Sequence, residues 1–282
     1  MFRIALFFLI VSTLLLQLTQ EAEVSAVPLV NFDQLAGTYH SSQKRVFFID
    51  NDGVLKGPEK LRDQERDYLT HSLRTICQDT KNVVWILSAR PVAYLKRLYQ
   101  DIEGLHLAGQ HGAETQKYRE EIKIWAPTIS VPSGSIQKEI NAHVPGADLR
   151  AEGQCTRVVV LNPETATADG ITKFKAAMKE FFPDDFEVQE LKDKGVINIF
   201  HKEYHKGTFA EKTMKLEDPD FAMTFGDELP DEVMHEIMNQ YHQNHVNAFS
   251  VVVSSNGQQD TKAQLKLNDY QHVHEFLAKL AE

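Results

Sequence analysis

The chain has 282 residues, of which 42% are hydrophobic and 25% charged, and its formal net charge is −10 at pH 7. This length predicts one large or two modest domains, with enough apolar residues to bury a core. The acidic balance disfavours nucleic acid and anionic membranes as partners, although an acidic protein can bind a phosphate locally through a metal ion and a few lysines.

The first 26 residues have the layout of a secretory signal peptide. Arg3 precedes a nearly continuous apolar stretch at 4–16, and the small residues at 24–26 suit a cleavage site. The apolar stretch is short for a membrane span. We therefore expect residues 1–26 to be removed and the protein to be secreted without a membrane attachment; an uncleaved membrane anchor is the alternative.

Strand and helix patterns alternate along the rest of the chain, which is typical of an α/β fold built on a parallel sheet. Buried strands of such a sheet are continuous apolar runs, and residues 45–50 form the first of them. The later predicted elements are, in chain order, a helix at 59–78, a strand at 82–87, a helix opened by Pro91, a strand at 105–108, a helix at 133–144, a strand at 155–161, a helix at 169–182, strands at 186–191, 196–200, 221–225 and 249–253, and a closing helix at 269–280.

The pattern changes after about residue 116, where longer polar connections separate the elements. We therefore predict a core made of two sequence pieces, residues 40–115 and 201–282, with a smaller α+β cap inserted at residues 116–200. Cys77 and Cys155 are far apart in sequence and follow different patterns, so we expect two free thiols rather than a disulfide. We expect a monomer.

Two carboxylates follow the first predicted strand. Asp50 and Asp52 are spaced one apart directly after the apolar run, and Gly53 allows the backbone to turn sharply. Ligands of open α/β sheets bind just beyond the carboxyl ends of the strands. One carboxylate at this place is suited to be a nucleophile or metal ligand, and the other to exchange protons. The alternative is an acidic turn without a chemical role.

Three further features occupy equivalent places in the pattern. Ser88 ends the second predicted strand, Lys206 opens a helix, and Asp227 and Asp231 follow the strand at 221–225. Taken singly, they are explained as a helix cap, a solvated lysine and acids at a helix start. Together they supply donors for phosphoryl oxygens and ligands for a hard divalent ion beside the two carboxylates. This combination predicts phosphoryl transfer from a monoester.

Five motifs carry a resemblance to a known family. They are Asp50-Asn51-Asp52-Gly53, residues 85–90 (WILSAR), 107–114 (LAGQHGAE), 226–232 (GDELPDE) and 261–263 (TKA). Their order resembles the haloacid dehalogenase-like phosphatases, and residues 40–282 are most similar to the trehalose-6-phosphate phosphatases among them. The resemblance implies a Rossmann-like core with a parallel sheet, an inserted cap, and Mg²⁺-dependent hydrolysis of trehalose 6-phosphate.

The resemblance also implies a role for each matching residue. Asp50 would attack phosphorus and form an aspartyl-phosphate. Asp52 would protonate the leaving sugar oxygen and then activate water. Ser88 and Lys206 would hold the phosphoryl oxygens, with Lys206 also steadying Asp50.

The same resemblance implies a ligand set for the metal. Asp227 would bind Mg²⁺ together with the carboxylate of Asp50 and the backbone carbonyl of Asp52. Asp231 would support this shell. Offsetting charge in this way is necessary because a dianionic ester is repelled by the nucleophilic carboxylate.

The predicted cap departs from the family pattern. The family's Glu-X-Lys segment is matched by residues 150–152 with the charges reversed, its His-Tyr-Arg strand has no counterpart, and Asn198 stands where it has a glutamate. The candidate sugar-binding residues are Arg150, Glu152, Arg157 and Asn198, with Arg90, His111 and Glu114 from the core motifs. A solvated cap surface is the alternative for Glu152 and Arg157. Another phosphorylated sugar as substrate, or a secreted non-catalytic binding protein, are the alternative functions.

Overall fold

A computed structural model describes residues 27–57, 59–150, 153–182, 184–244, 246–256 and 260–282. The predicted signal peptide, residues 1–26, lies outside the described residues. Within the described ranges the chain forms twelve strands in two sheets, with eight α-helices packed against them. No helix in this part of the chain is long and apolar enough to cross a membrane.

The elements follow the predicted alternation closely. The helices are α1 (Phe32–Ser41), α2 (Asp63–Gln78), α3 (Val92–Tyr99), α4 (Ser133–His143), α5 (Ala168–Phe181), α6 (Lys206–Glu217), α7 (Leu229–Gln243) and α8 (Tyr270–Leu280). The strands are β1 (Arg45–Ile49), β2 (Asn82–Leu87), β3 (His106–Gly109), β4 (Glu114–Gln116), β5 (Lys123–Ile124), β6 (Asp148–Arg150), β7 (Thr156–Val160), β8 (Phe186–Leu191), β9 (Val196–His201), β10 (Phe221–Gly226), β11 (Asn247–Val253) and β12 (Leu265–Leu267).

The larger sheet has eight strands in the order β12-β11-β10-β1-β2-β3-β4-β5. Its strands are parallel from β12 to β3, and only β4 and β5 are antiparallel. The α/β fold with a parallel sheet is therefore confirmed. β1 lies between β10 and β2, so the residues that follow these three strands meet at one edge of the sheet.

Helices cover both faces of this sheet, which explains why β1 is a continuous apolar run. Phe47 and Ile49 pack on the side of α1, α2, α3 and α8. Val46 and Phe48 pack on the side of α6 and α7. All four side chains are fully buried.

The core also includes residues ahead of the predicted start at residue 40. In α1, Leu35, Ala36 and Tyr39 are buried against the sheet, and Leu29 pairs with Lys266 of β12. Apolar residues at 32, 35, 36 and 39 have the spacing of an amphipathic helix, which is the signal for this element.

The second sheet has four antiparallel strands in the order β6-β7-β9-β8. Its outer face packs on α4 and α5 through Ile140, Phe174, Val159 and Ile197. These elements fall within the predicted α+β insertion. The separation of residues 116–200 from the core as an independent cap stays a prediction. Both cysteines are free, as predicted.

Candidate active site

A cleft of about 200 Å³ lies between the carboxyl edge of the larger sheet and the inner face of the second sheet. Most of the predicted site residues meet here. Those that line the cleft are Asp50, Asp52, Ser88, Arg90, His111, Arg150, Asn198 and Lys206. Glu152 lies outside the described residues.

A buried lysine joins two carboxylates at the base of the cleft. The Nζ atom of Lys206 is 2.8 Å from Oδ1 of Asp50 and 2.6 Å from Oδ1 of Asp231. Burial raises the pKa of Asp50 to about 8; Lys206 opposes this rise, while Asp231 and Asp227 add to it. Burial alone would lower the pKa of Lys206, but the two contacting carboxylates raise it instead. The single positive charge of Lys206 is therefore too small to balance the negative charges of the three carboxylates around it.

The acids beside Lys206 have the composition of a site for a hard divalent ion. Asp50, Asp227 and Asp231 offer oxygens that all lie within 4.8 Å of one another. Oδ1 of Asp227 is buried without a hydrogen-bond partner among the described residues, and burial raises the pKa of this carboxyl to about 6. Carboxylate oxygens are the ligands that Mg²⁺ prefers. The residues present therefore fit this ion.

The three acids differ in how many oxygens they have free. Oδ2 of Asp231 accepts from the backbone N–H groups of Asp227 and Glu228 at 3.2 and 3.1 Å, while Oδ1 binds Lys206. Both oxygens of Asp231 are engaged, so this residue fits the supporting role that the resemblance implies. Asp50 and Asp227 have free oxygens for a cation.

Gly53 makes room for Asp227. Its φ is 93°, a left-handed conformation that favours glycine, and a Cβ at this position would lie 2.1 Å from Oδ2 of Asp227. Only a residue without a side chain allows the turn after β1 to pass so close to the carboxylate of Asp227.

Replacing Gly53 by alanine is expected to weaken divalent-ion binding at least tenfold, because the new methyl group displaces the carboxylate of Asp227. Binding of Mn²⁺, measured by electron paramagnetic resonance, checks this. Gly134→Ala is the matched control, since a Cβ at Gly134 meets nothing within 4 Å. Equal Mn²⁺ affinity in the two variants would contradict the expectation.

Asp52 has a different environment from Asp50. Its carboxylate contacts Lys56 at 2.7 Å and Arg90 at 3.3 Å, and accepts from the side-chain amide of Asn51 at 2.9 Å. Burial opposes its ionisation, but these partners outweigh burial and lower its pKa. Asp52 is therefore ionised, and it is not one of the three acids whose oxygens cluster within 4.8 Å.

The loop after β3 has an unusual backbone. Gln110, His111 and Gly112 have φ values of 49°, 61° and 96°, so three successive residues are left-handed. The backbone N–H of His111 donates to the carbonyl of Ser88 at 2.9 Å. Oε1 of Gln110 accepts from the backbone N–H groups of Cys155 and Thr156 at 2.7 and 3.1 Å, which ties this loop to the second sheet. A positive φ is uncommon for non-glycine residues, and two of them in succession are held here by contacts from the second sheet and from Ser88.

His111 presents a neutral ring to the cleft. Burial, aided by the charge of Lys206, lowers its pKa to about 3. Its ring lies 5.3 Å from that of Phe200 in β9. A neutral imidazole can both donate and accept a hydrogen bond.

Two predicted sugar-binding residues are not brought to the cleft. Arg157 is buried on the other face of β7, where its guanidinium donates to the carbonyls of Gly153, Thr156 and Ile129. Glu114 accepts from the backbone N–H of Val92 at the start of α3. Both side chains bind backbone groups of the fold, and their role in sugar binding stays a prediction.

Sequence reasoning missed two lysines at the site. Lys194, which precedes β9, contacts Asp227 at 3.4 Å and also pairs with Glu228. Lys56 pairs with Asp52. Neither lysine follows a core strand, so the pattern that marked the other residues did not mark them.

A buried histidine behind Asp231 predicts acid sensitivity of the fold. Nδ1 of His235 is 3.1 Å from Oγ1 of Thr224, and Nε2 has no partner among the described residues. Burial lowers the pKa of His235 to about 4. The unfolded chain therefore binds more protons between pH 6.5 and 4, and stability falls as the pH falls through this range.

We expect His235→Asn to remove up to about 3 kcal/mol of this pH-dependent loss. Urea unfolding at pH 7.5, 6 and 5 measures it. His71→Asn, at an exposed position of α2, serves as the control. Identical pH slopes in the wild type and His235→Asn would show that His235 does not cause the sensitivity.

The parallel sheet and the acids at its carboxyl edge have the arrangement that the resemblance to the haloacid dehalogenase-like phosphatases implies. A family model described as trehalose-phosphatase matches residues 48–271. The chain belongs to this family.

Individual relatives agree with the family. A trehalose-phosphatase of Schizosaccharomyces pombe is 24% identical over 276 residues, covering 90% of this chain and 33% of its own length. The chain thus spans about a third of the length of the curated relatives it matches. The C-terminal domain of a Candida albicans trehalose-6-phosphate phosphatase superposes with a TM-score of 0.75 at 23% identity, covering 91% of this chain and 99% of that domain.

The same fold also occurs in a protein with a different description. The C-terminal domain of a Candida albicans trehalose synthase regulatory protein superposes with a TM-score of 0.72 at 13% identity, covering 92% of this chain and 100% of that domain. Likeness at these identities shows the fold alone. Activity must therefore be argued from the residues of the cleft.

Proposed function

We propose that this protein hydrolyses trehalose 6-phosphate to trehalose and phosphate through an aspartyl-phosphate on Asp50, with Mg²⁺ as cofactor. The observation that carries the proposal is the buried carboxylate of Asp50, which Lys206 contacts at 2.8 Å beside the acids Asp227 and Asp231. A non-catalytic binding protein has no need of a nucleophile and a cation site in one cluster.

Asp50 is suited to attack phosphorus. Its Oδ1 is engaged by Lys206, which leaves Oδ2 as the oxygen that forms the bond to phosphorus while the bond to the sugar oxygen breaks. Ser88 and Lys206 provide donors for the phosphoryl oxygens. Mg²⁺ held by Asp50 and Asp227 would offset the negative charge of the ester when bound.

Asp52 would act as the general acid and then as the general base. It starts as a carboxylate, and the arrival of a dianionic ester raises its pKa through like-charge repulsion, so that it takes up a proton with the substrate. It then donates this proton to the leaving sugar oxygen. In the second step it accepts a proton from the water that attacks the aspartyl-phosphate. Asn51, itself held by Tyr99 at 2.7 Å, keeps Asp52 in place.

Sugar recognition would come from the inner face of the second sheet. Asn198 is buried and lines the cleft, and Arg150 also lines it. Placed polar groups of this kind give large discrimination, because an unmatched buried group is costly. Since Asn198 stands where the family has a glutamate, another sugar phosphate is the alternative substrate.

Replacing Asn198 by alanine is expected to raise KM for trehalose 6-phosphate about tenfold, with a smaller change in kcat, because the lost contact is to the sugar. Steady-state phosphate release measures both constants. Asn141→Ala, on the exposed face of α4, is the control. An unchanged KM in Asn198→Ala would remove this residue from the sugar site.

Phosphate release by the purified protein across a panel of sugar phosphates tests the proposed function. We expect a preference for trehalose 6-phosphate, and loss of activity on exhaustive chelation that added Mg²⁺ restores. Activity only on other sugar phosphates would change the proposed substrate but not the proposed reaction. A well-folded protein that releases no phosphate from any member would refute the enzyme, and activity unaffected by chelation would refute the metal.

Export from the cell and a monomeric state are further proposals. Export rests on the sequence of residues 1–26 alone. Fusing residues 1–30 to a reporter tests it, and a reporter retained entirely in the cytosol would refute it. Sedimentation equilibrium tests the monomer.

A further inference from the structure

A second cavity, of about 290 Å³, has no lining residue in common with the cleft. It lies on the α6 side of the larger sheet. Gly112 and His205 form part of its wall, and in the sequence they adjoin His111 and Lys206 of the cleft. Nothing in the proposed reaction uses this cavity.

The interior of the second cavity is aromatic. Trp85, Tyr204, Phe209 and Trp125 line it, and the rings of Trp85 and Phe209 meet edge to face at 5.0 Å. Trp85 is only 4% exposed, and its indole N–H has no hydrogen-bond partner within the described residues. The second cavity therefore offers mainly aromatic surface to a ligand.

The rim of the second cavity is positively charged. Lys117, Lys123 and Lys212 line it together with one acid, Glu120, which pairs with Lys123 at 2.9 Å. Neither Lys117 nor Lys212 forms an ion pair with any described residue; the ammonium of Lys212 lies 5.3 Å from the centre of the Tyr204 ring. Two exposed ammonium groups are therefore available to an anion above an apolar floor.

We propose that the second cavity is a binding site for an organic anion with a flat apolar body of one or two rings. The rings of the ligand pack against Trp85, Phe209 and Trp125. Its carboxylate, sulfonate or phosphate group lies at the rim between Lys117 and Lys212. Small-molecule sites in proteins have this composition, with mostly apolar walls and a few convergent polar groups.

The two tryptophans provide a direct measurement of binding. They are the only tryptophans in the chain, and both line the second cavity. Titration of the purified protein with 8-anilinonaphthalene-1-sulfonate is expected to show one site per chain, with energy transfer from tryptophan to the probe. The neutral analogue N-phenyl-1-naphthylamine is expected to bind more weakly, because it lacks the anionic group.

Matched lysine variants test the role of charge. Lys212→Gln is expected to weaken binding of the anionic probe about twofold to fivefold and to leave binding of the neutral analogue unchanged. Lys215→Gln is the control on the same helix, because Lys215 pairs with Glu211 and does not line the second cavity. Equal affinities in the two variants would overturn the proposal.

Two further measurements fix the position of the probe. In Trp125→Phe the aromatic wall is kept and Trp85 is the sole donor, so energy transfer should persist. Inorganic phosphate at saturation would occupy the cleft, and we expect the probe to remain bound in its presence. Loss of all energy transfer in Trp125→Phe, or full competitive displacement by phosphate, would place the probe elsewhere and overturn the proposal.

Discussion

Asp50→Asn is expected to reduce phosphate release at least about 10⁴-fold, because the amide cannot form the bond to phosphorus. Phosphate release from trehalose 6-phosphate at saturating Mg²⁺ measures this loss. Wild-type protein prepared in the same way is the reference. Activity within tenfold of the wild type would refute Asp50 as nucleophile.

The same substitution is expected to stabilise the metal-free fold. Because burial raises the pKa of Asp50 to about 8, the folded protein binds more protons than the unfolded chain between about pH 4 and 8. The ionisation of Asp50 therefore lowers the free energy of unfolding by an amount that increases as the pH rises through this range. Asp50→Asn removes the cost, on the order of 1–3 kcal/mol at pH 8.

Urea unfolding in chelator, at pH 8 and pH 5, separates this effect from a damaged fold. The variant should be more stable than the wild type at pH 8, with a smaller difference at pH 5. Added Mg²⁺ should stabilise the wild type more than the variant, because the variant lacks one ligand. A variant that is less stable than the wild type at both pH values would mean that lost activity reflects lost structure.

The residues at the carboxyl edge of the sheet could be predicted because parallel strands impose their location. Asp50, Ser88 and Asp227 each follow a buried strand, and β1, β2 and β10 are neighbours in the sheet. A continuous apolar run followed by a polar residue therefore predicts that this residue lies at the carboxyl edge of the sheet. This prediction does not require knowing which face of the sheet each strand residue occupies.

Site residues in the second sheet are harder to predict, because one face of each strand packs on helices and the other faces the cleft. Thr156 and Val158 line the cleft, so the alternation of a strand puts Arg157 on the opposite face. Arg157 was predicted because it lies in the strand that matches the family's His-Tyr-Arg segment, and that match does not take the alternation into account. In β9 the same rule works in favour of the prediction, since Asn198 lies between Ile197 and Ile199, which pack on the helices.

The loop at 110–112 was identified by resemblance, but its geometry was not. Glycine at 112 signals a left-handed residue, whereas Gln110 and His111 adopt the same region without a signal in their residue type. Their conformation is fixed by contacts from elsewhere, such as those of Gln110 to Cys155 and Thr156. Contacts of this kind depend on the packing of two sheets and cannot be obtained from one segment.

Removing the charge of Lys206 is expected to have the largest effect on stability. Lys206→Met leaves Asp50 and Asp231 buried and facing each other without a cation, which should cost about 3–5 kcal/mol at pH 8 in the metal-free protein. Phosphate release should fall about 10²–10³-fold, because a donor to the phosphoryl oxygens is lost.

The pH dependence distinguishes this cause from a simple loss of packing. Without Lys206 the pKa of Asp50 rises further, so the variant's loss of stability should shrink as the pH falls towards 4 and Asp50 takes up a proton. Urea unfolding at pH 8 and 5 measures it, with Lys215→Met, an exposed lysine of the same helix, showing no measurable change. Combining Lys206→Met with Asp50→Asn should recover part of the lost stability, since only Asp231 then lacks its cation. A double variant no more stable than Lys206→Met would show that the shared ammonium is not what holds the two carboxylates in the fold.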